Sequence, residues 1–392
     1  MRITEVEAIL LRGDGVYSTG AGGHEAQDNG DWQLLVRVAT DEGLEGWADV
    51  ETLAPAAVAV ISGQGMGTLG FRTLGDLLMG EDPLDTERLW DKMYIGSAYY
   101  GRRGLAMQCI SAIDNCLWSI RAQAAGMNLA QMLGGRRRDS VLAYASTLFR
   151  DTPDGMTEAV RRYTDMGFRA VKFGWGVFGE DPGRDRDLVA AAREALGPDR
   201  HLLVDPGWYP VGWKGAHRMR SRREAIALCQ WLADYDVGWV EDFIHPERFD
   251  EYAAVRAESP VPIAAGEQLA TAWEFDRFIE AGCVDVIQPD LSRCGGLTVA
   301  LRIARSAERA NIDCVPHSWL THLLTAYSLH FIATLPRARF VEFNVSQSAL
   351  TRGIAQATMA LDADGMVAVP DGPGLGVEVD RDFIAAHRVG PP

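Results

Sequence analysis

Lysine is nearly absent from this chain: its 392 residues include only Lys92, Lys172 and Lys214, so arginine is the default cation. Positive charge is scarce overall, with 38 Lys and Arg against 54 Asp and Glu and a formal net charge of −16. That balance argues against a nucleic-acid or anionic-membrane binder, since both need a basic footprint. No apolar stretch approaches the length that crosses a bilayer. The N-terminal MRITEVEAILLRG alternates like a strand and lacks the apolar block of a signal peptide. The six cysteines form no CxxC or CxxH pair and sit inside apolar runs such as AMQCISAI. They read as reduced, buried thiols, and the protein as a cytoplasmic one. Low-complexity tracts and short repeats are also missing. The remaining composition, 47% apolar and 23% charged, is that of a globular protein with one large domain and a smaller one.

Residues 1–135 read as a mixed α+β unit. ITEVEAILL and WQLLVRVAT have strand patterning, and Asp41-Glu42-Gly43 turns the chain back through LEGWADV. Helices are expected over PLDTERLWDKMYIGS and over LAMQCISAIDNCLWSIRAQAAG, the second ending on Gly126. From 136 to 345 the rhythm changes. Eight short apolar runs alternate with helix-sized stretches: VLAYAST, RAVKFGW, HLLVDPG, VGWVEDF, PIAAGEQ, VDVIQPD, IDCVPHS and RFVEFN. Such βα units close into a parallel barrel. Residues 346–392, with PDGPGLGVEVD, are expected to leave the barrel and return to the N-terminal unit.

Seven of the runs end on a polar residue: Lys172, Asp205, Glu241, Glu267, Asp290, His317 and Glu342. They are spaced 33, 36, 26, 23, 27 and 25 residues apart, about one βα unit each. In a parallel barrel the C-terminal strand ends form the active-site face, so all seven should meet there. Asp205, Glu241 and Glu267 offer only oxygen, which selects one hard divalent cation per subunit, Mg²⁺ before Mn²⁺, with Zn²⁺ disfavoured. Open positions on that cation suit a substrate carboxylate and an enediolate formed beside it. His317 with Asp290 on the neighbouring strand reads as a general base whose tautomer a carboxylate fixes. Lys172 suits either a substrate carboxylate or the role of a second base, and Glu342 either a protonated donor or a partner for Lys172.

Taken in order, these segments resemble the enolase superfamily and most closely its mandelate racemase subgroup. The likeness rests on GLEGWADV, SAIDNCLWSIRAQAAGMNLAQMLGG, the three carboxylate strands, VIQPDLSRCGGLT, VPHSWLT, FVEFN and PDGPGLGVEVD. It implies an α/β protein: a modified TIM barrel, (β/α)7β, under an α+β capping domain completed by the C-terminal tail. It also implies Mg²⁺ on Asp205, Glu241 and Glu267, the Asp290–His317 dyad as base, and a homo-oligomer. A His base with a Mg²⁺-stabilised ene-diolate is the pattern general to that superfamily.

Two departures from the family pattern bear on the reaction. Members with a second base usually carry Lys-x-Lys on the second strand, and here the run is Lys172-Phe173-Gly174. The third strand often reads Asp-x-Asn, and here it is Asp205-Pro206-Gly207. Racemisation needs a group on each face of the carbon. With one equipped face, His317 can take the α-proton and return it to a leaving β-hydroxyl. The expected reaction is dehydration of a polyhydroxylated acid sugar, aldonate or aldarate, to a 2-keto-3-deoxy acid. Lactone cycloisomerisation, racemisation or epimerisation, and non-catalytic binding are the alternatives. For substrate contacts, Tyr17 and His24 lie in a Gly-rich segment read as a lid, and Trp175 and Trp208 lie just past strand ends. The loop carrying Lys214, His217 and four arginines (GWYPVGWKGAHRMRSRRE) is a further candidate for attracting an anion.

Overall fold

Three strands near the N-terminus, β1 (Ile3–Gly13), β2 (Asp31–Thr40) and β3 (Glu45–Val50), pair antiparallel in sequence order. The β2–β3 turn falls where Asp41-Glu42-Gly43 predicts it, with Gly43 at φ 80°. A computed structural model describes residues 1–13, 31–66, 71–208, 219–337, 339–355 and 359–390. The expected long helix spans Leu105–Ala124, buried on nearly every side between this sheet and the barrel. Gly126, at φ 64°, supplies the left-handed residue that ends it.

The barrel strands are β4 (Ser140–Leu148), β5 (Ala170–Gly174), β6 (His201–Asp205), β7 (Val237–Glu241), β8 (Ile263–Ala265), β9 (Val286–Ile287), β10 (Asp313–Cys314) and β11 (Val341–Asn344). All pair parallel in the path β10-β9-β8-β7-β6-β5-β4-β11, with a helix between each consecutive pair in the chain. This is the modified TIM barrel, (β/α)7β, under an α+β cap. At the two ends of the path, Ser318 N–H donates to Glu342 Oε2 at 2.7 Å. A last strand, β12 (Met366–Ala368), runs antiparallel to β4. The tail then reaches the cap, where Val389 N–H donates to Leu10 O.

Strand alternation sorts the barrel interior into layers. One residue from each strand or its immediate flank builds a fully apolar or aromatic floor: Tyr144, Ala170, Leu203, Trp239, Ala264, Val286, Val315 and Phe340. Two residues further along, the same pleat carries Ser146, Lys172, Asp205, Glu241, Gly266, Gln288, His317 and Glu342. A closed apolar floor therefore lies beneath a polar layer at the C-terminal mouth. Strands β8 to β10 are only two or three residues long. The backbone leaves the ladder early there, and Glu267, Asp290 and His317 project from the loops beyond.

The cap is tied to those loops by buried polar groups. Asp114 accepts from Thr298 N–H at 2.8 Å and from the Thr298 hydroxyl at 2.7 Å, and Asn115 accepts from Leu297 N–H at 3.0 Å. Gly295 and Gly296, at φ 119° and 74°, let the loop after Asp290 come close; a Cβ on Gly296 would lie 2.6 Å from Asp114. Asp49 on β3 accepts from the Thr321 hydroxyl, Leu324 N–H and Gln33, just beyond His317.

Burial raises the Asp49 carboxyl to about 7, with Thr321 and Leu324 acting in the opposite sense. A carboxyl raised on folding contributes stability that is fully present below its unfolded pKa of about 4 and lost as pH rises through 7. Asp49→Asn is expected to remove that dependence. The stability difference between variant and wild type should change by up to about 1.4 kcal/mol per pH unit across this window. Urea unfolding at several pH values measures it, and a constant difference would refute the assignment.

Candidate active site

At the barrel mouth a cavity of about 470 Å³ is lined by Lys172, Asp205, Glu267, His317 and Glu342, with Ser146, Thr147, Trp175, Gln268, Arg293 and Trp319 among its other walls. Glu241 lies beneath Lys172 and Asp290 behind His317. All seven strand-end residues named from the sequence are buried in this region. A somewhat larger cavity, about 530 Å³, lies between Trp47, Gln123 and the 373–382 segment and contains none of them.

His317 Nδ1 is 2.5 Å from Asp290 Oδ2, and its Nε2 is 3.0 Å from Glu267 Oε2. Asp290 is held in turn by Ser292, whose N–H and hydroxyl both donate to Oδ1 at 2.6 Å. Burial would lower the His317 pKa, yet Glu267, Glu342 and Asp290 outweigh it and hold the imidazole well above its ordinary range. The ring is thus held from both sides, by Asp290 at Nδ1 and by Glu267 at Nε2.

Lys172 is the buried cation at the centre. Its Nζ lies 2.5 Å from Glu241 Oε1, 2.8 Å from Glu342 Oε1 and 4.0 Å from Asp205 Oδ2, above the Tyr144 ring. Burial would lower its pKa, but Glu241 and Glu342 outweigh it and keep the ammonium charged. Burial would raise Glu342, but Lys172 and His317 outweigh it and hold it at about 2. Of the two roles that Glu342 allowed on sequence grounds, the geometry favours that of ion-pair partner to Lys172. Ser146, donating to Glu342 Oε1 at 2.6 Å, completes it.

Asp205, Glu241 and Glu267 share the mouth but are turned to different partners. Glu267 also pairs with Arg293 at 3.2 Å and accepts from Gln268 at 2.8 Å, while Asp205 Oδ1 accepts from Gly207 N–H at 3.1 Å. Among the described residues, no three acid, His or Cys side chains already stand at mutual metal-ligand spacing. The charge count nonetheless fits a divalent cation. Asp205, Glu241, Asp242, Glu267, Asp290, Glu342 and the cap's Glu51 set seven carboxylates against Lys172, Arg293 and His317. Burial and the neighbouring Glu241 push the Asp205 carboxyl well up, and Asp242 Oδ2 is buried without a partner. Oxygen donors in that excess suit Mg²⁺.

The two departures from the family pattern are structurally linked. A Cβ on Gly174 would lie 2.9 Å from Asp205 Oδ2. Trp175, at φ 45°, donates its N–H to Asp205 O at 2.8 Å. Its ring covers Gly207, where a Cβ would meet a ring carbon at 2.7 Å. Trp175 thus takes volume that a side chain at 207 would fill, and a side chain at 174 would press on Asp205. Gly174→Ala is expected to cost about 1–3 kcal/mol of stability and to weaken Mg²⁺ binding. Unchanged Mg²⁺ affinity in titration calorimetry would clear Asp205 of a ligand role.

Of the substrate-contact candidates, Trp175 lines the cavity, whereas the Trp208 ring packs edge-on against His245 at 5.2 Å and is not among the lining residues. Tyr17, His24, Lys214 and His217 lie outside the described residues. Sequence reasoning missed Ser146, Trp239, Arg293, Glu51 and Trp319. Period-two alternation back from the end of β4 would have found Ser146, and alternation back from Glu241 would have found Trp239. Arg293 pairs with Glu51 at 2.7 Å as well as with Glu267, and no strand pattern marks it.

The model for the mandelate racemase / muconate lactonizing enzyme N-terminal domain matches residues 30–134, and that for the enolase C-terminal domain-like fold matches 155–383. The chain belongs to the mandelate racemase and muconate lactonizing enzyme family of the enolase superfamily. Within this family it is 33% identical over 375 residues to a D-galactarolactone cycloisomerase of Agrobacterium fabrum, covering 92% of each chain. A D-galactonate dehydratase of Klebsiella pneumoniae is 32% identical over 366 residues, with 90% of each chain covered. The 3,6-anhydro-D-galactonate cycloisomerase of Zobellia galactanivorans superposes with a TM-score of 0.85 over 100% of both chains at 28% identity.

Proposed function

We propose that the protein catalyses a magnesium-dependent β-elimination on an acid sugar, with His317 as its proton-transfer group. The carrying observation is the one-sided site: His317 lines the cavity, while the second-base position is Gly174, which offers the cavity no side chain. Asp205, Glu241 and Glu267 would hold the cation, which would supply positive charge beside the substrate carboxylate. Asp290 keeps Nε2 of His317 as the proton acceptor and stabilises the imidazolium. Lys172 brings a fixed positive charge for the substrate carboxylate, and Glu342 with Ser146 holds that charge in place.

His317 removes the α-proton, the electron pair forms the α,β double bond, and a β carbon–oxygen bond breaks. When the oxygen is a hydroxyl, His317 returns the proton to it and water leaves. The enol then tautomerises to a 2-keto-3-deoxy acid. When the oxygen belongs to a ring, the same step opens the ring without loss of water, a reading supported by the two cycloisomerase relatives. Racemisation lacks its second group. Six buried cysteines without a disulfide support a cytoplasmic setting.

The test is incubation with Mg²⁺ and a panel of aldonic acids, aldaric acids and their lactones, with detection of 2-keto product. Turnover of open-chain acids establishes dehydration, and turnover of lactones alone establishes cycloisomerisation. Exchange of the α-proton with solvent deuterium without any keto acid would overturn the elimination.

A further inference from the structure

We propose that Trp239 is a positioning residue for Glu241, an inference that rests on the magnesium reading above. Trp239 precedes Glu241 by two residues on β7, so the pleat stacks both side chains inside the barrel. Trp239 is fully buried. Its ring is held edge-on by Tyr144 at 5.7 Å and by Phe340 at 5.6 Å. Its indole Nε1–H donates to Glu241 Oε2 at 2.8 Å.

That bond makes the two oxygens of Glu241 inequivalent. Oε2 is tethered from the floor, and Oε1 faces Lys172 Nζ in its own layer at 2.5 Å. A carboxylate tethered by one oxygen loses the freedom to turn both oxygens away from the mouth, so less ordering is left for cation binding to impose. The chemical type of the tether also matters. A lysine or arginine here would cancel the charge of Glu241 and weaken its attraction for a cation, whereas an indole donates a hydrogen bond without adding charge. Trp239 thereby holds the ligand in place at no electrostatic expense.

The experiment is titration calorimetry of the full-length protein with MgCl₂, comparing wild type with Trp239→Phe. The phenyl ring retains packing against Tyr144 and Phe340 but lacks the donor. Affinity is expected to fall about tenfold or more, the range for a lost hydrogen bond to a buried charged group. A cooperative melt would show the fold intact. Affinity within twofold of wild type would overturn the proposal. If Trp239→Phe does not fold, benzothienylalanine at 239, with sulfur in place of the N–H and nearly the same shape, makes the same comparison. Absence of Mg²⁺ binding by wild type would overturn the metal reading and this one together. Binding by wild type with an unaffected variant would overturn this one alone.

Discussion

Replacing His317 by Asn is expected to lower turnover at the upper end of the roughly 10²–10⁴-fold range for loss of one acid–base group. The upper end applies because, in the proposed elimination, the same imidazole would serve both half-steps, taking the α-proton and then giving one to the departing oxygen. Asp290 remains anchored by Ser292 at 2.6 Å, so the loop should keep its shape. Mg²⁺ binding should survive, since Glu267 loses a competing partner 3.0 Å away. Keto-acid assays and Mg²⁺ titrations on one preparation check both halves. Wild-type turnover by the variant would sink the assignment of His317.

Lys172→Met is the second large effect. The substitution leaves Glu241, Glu342 and Asp205 buried together without the ammonium that now lies 2.5, 2.8 and 4.0 Å from them. Removing one partner of a buried ion pair costs about 3–5 kcal/mol, and this cation serves more than one carboxylate. Urea unfolding in the presence of a chelator measures the loss, which saturating Mg²⁺ should reduce by supplying the missing positive charge. Arginine is a poor rescue, because its planar fork replaces a point charge in a closed site. A change below about 1 kcal/mol would mean that Lys172 is neutral in the folded protein, reopening its role as a base.

Much of this site is legible in the sequence because strand-end polarity follows directly from the architecture. A polar residue ending an apolar run has few places to go except the barrel mouth, and the intervals near one βα unit identify the barrel. The less legible features are decided by which way a side chain turns. Trp175 and Trp208 occupy equivalent sequence positions just past strands, yet Trp175 lines the cavity and Trp208 lies against His245. The carboxylates likewise share a mouth, but Glu267 faces His317 and Glu241 faces Lys172, a choice set by local cations. Arg293 escaped notice because its partner Glu51 lies 242 residues away in the cap. Strands β8 to β10 end short of their polar residues, a break the apolar runs do not mark: Gly266, at φ 137°, turns the chain just before Glu267.

The ties between cap and barrel also govern how the chain can assemble. Asp114 waits for Thr298, 184 residues later, and Asp49 for Thr321, 272 residues later. On the ribosome, where the N-terminal end emerges first, the cap helix would have its polar partners still unmade while most of the barrel is being synthesised. Leu10 and Val389 join the first strand to the tail only after the whole barrel has been made. Contacts of such long range slow folding and leave apolar surface open in the interval. Folding yield should therefore depend more on chaperone protection of the growing chain than the stability of the finished barrel would suggest.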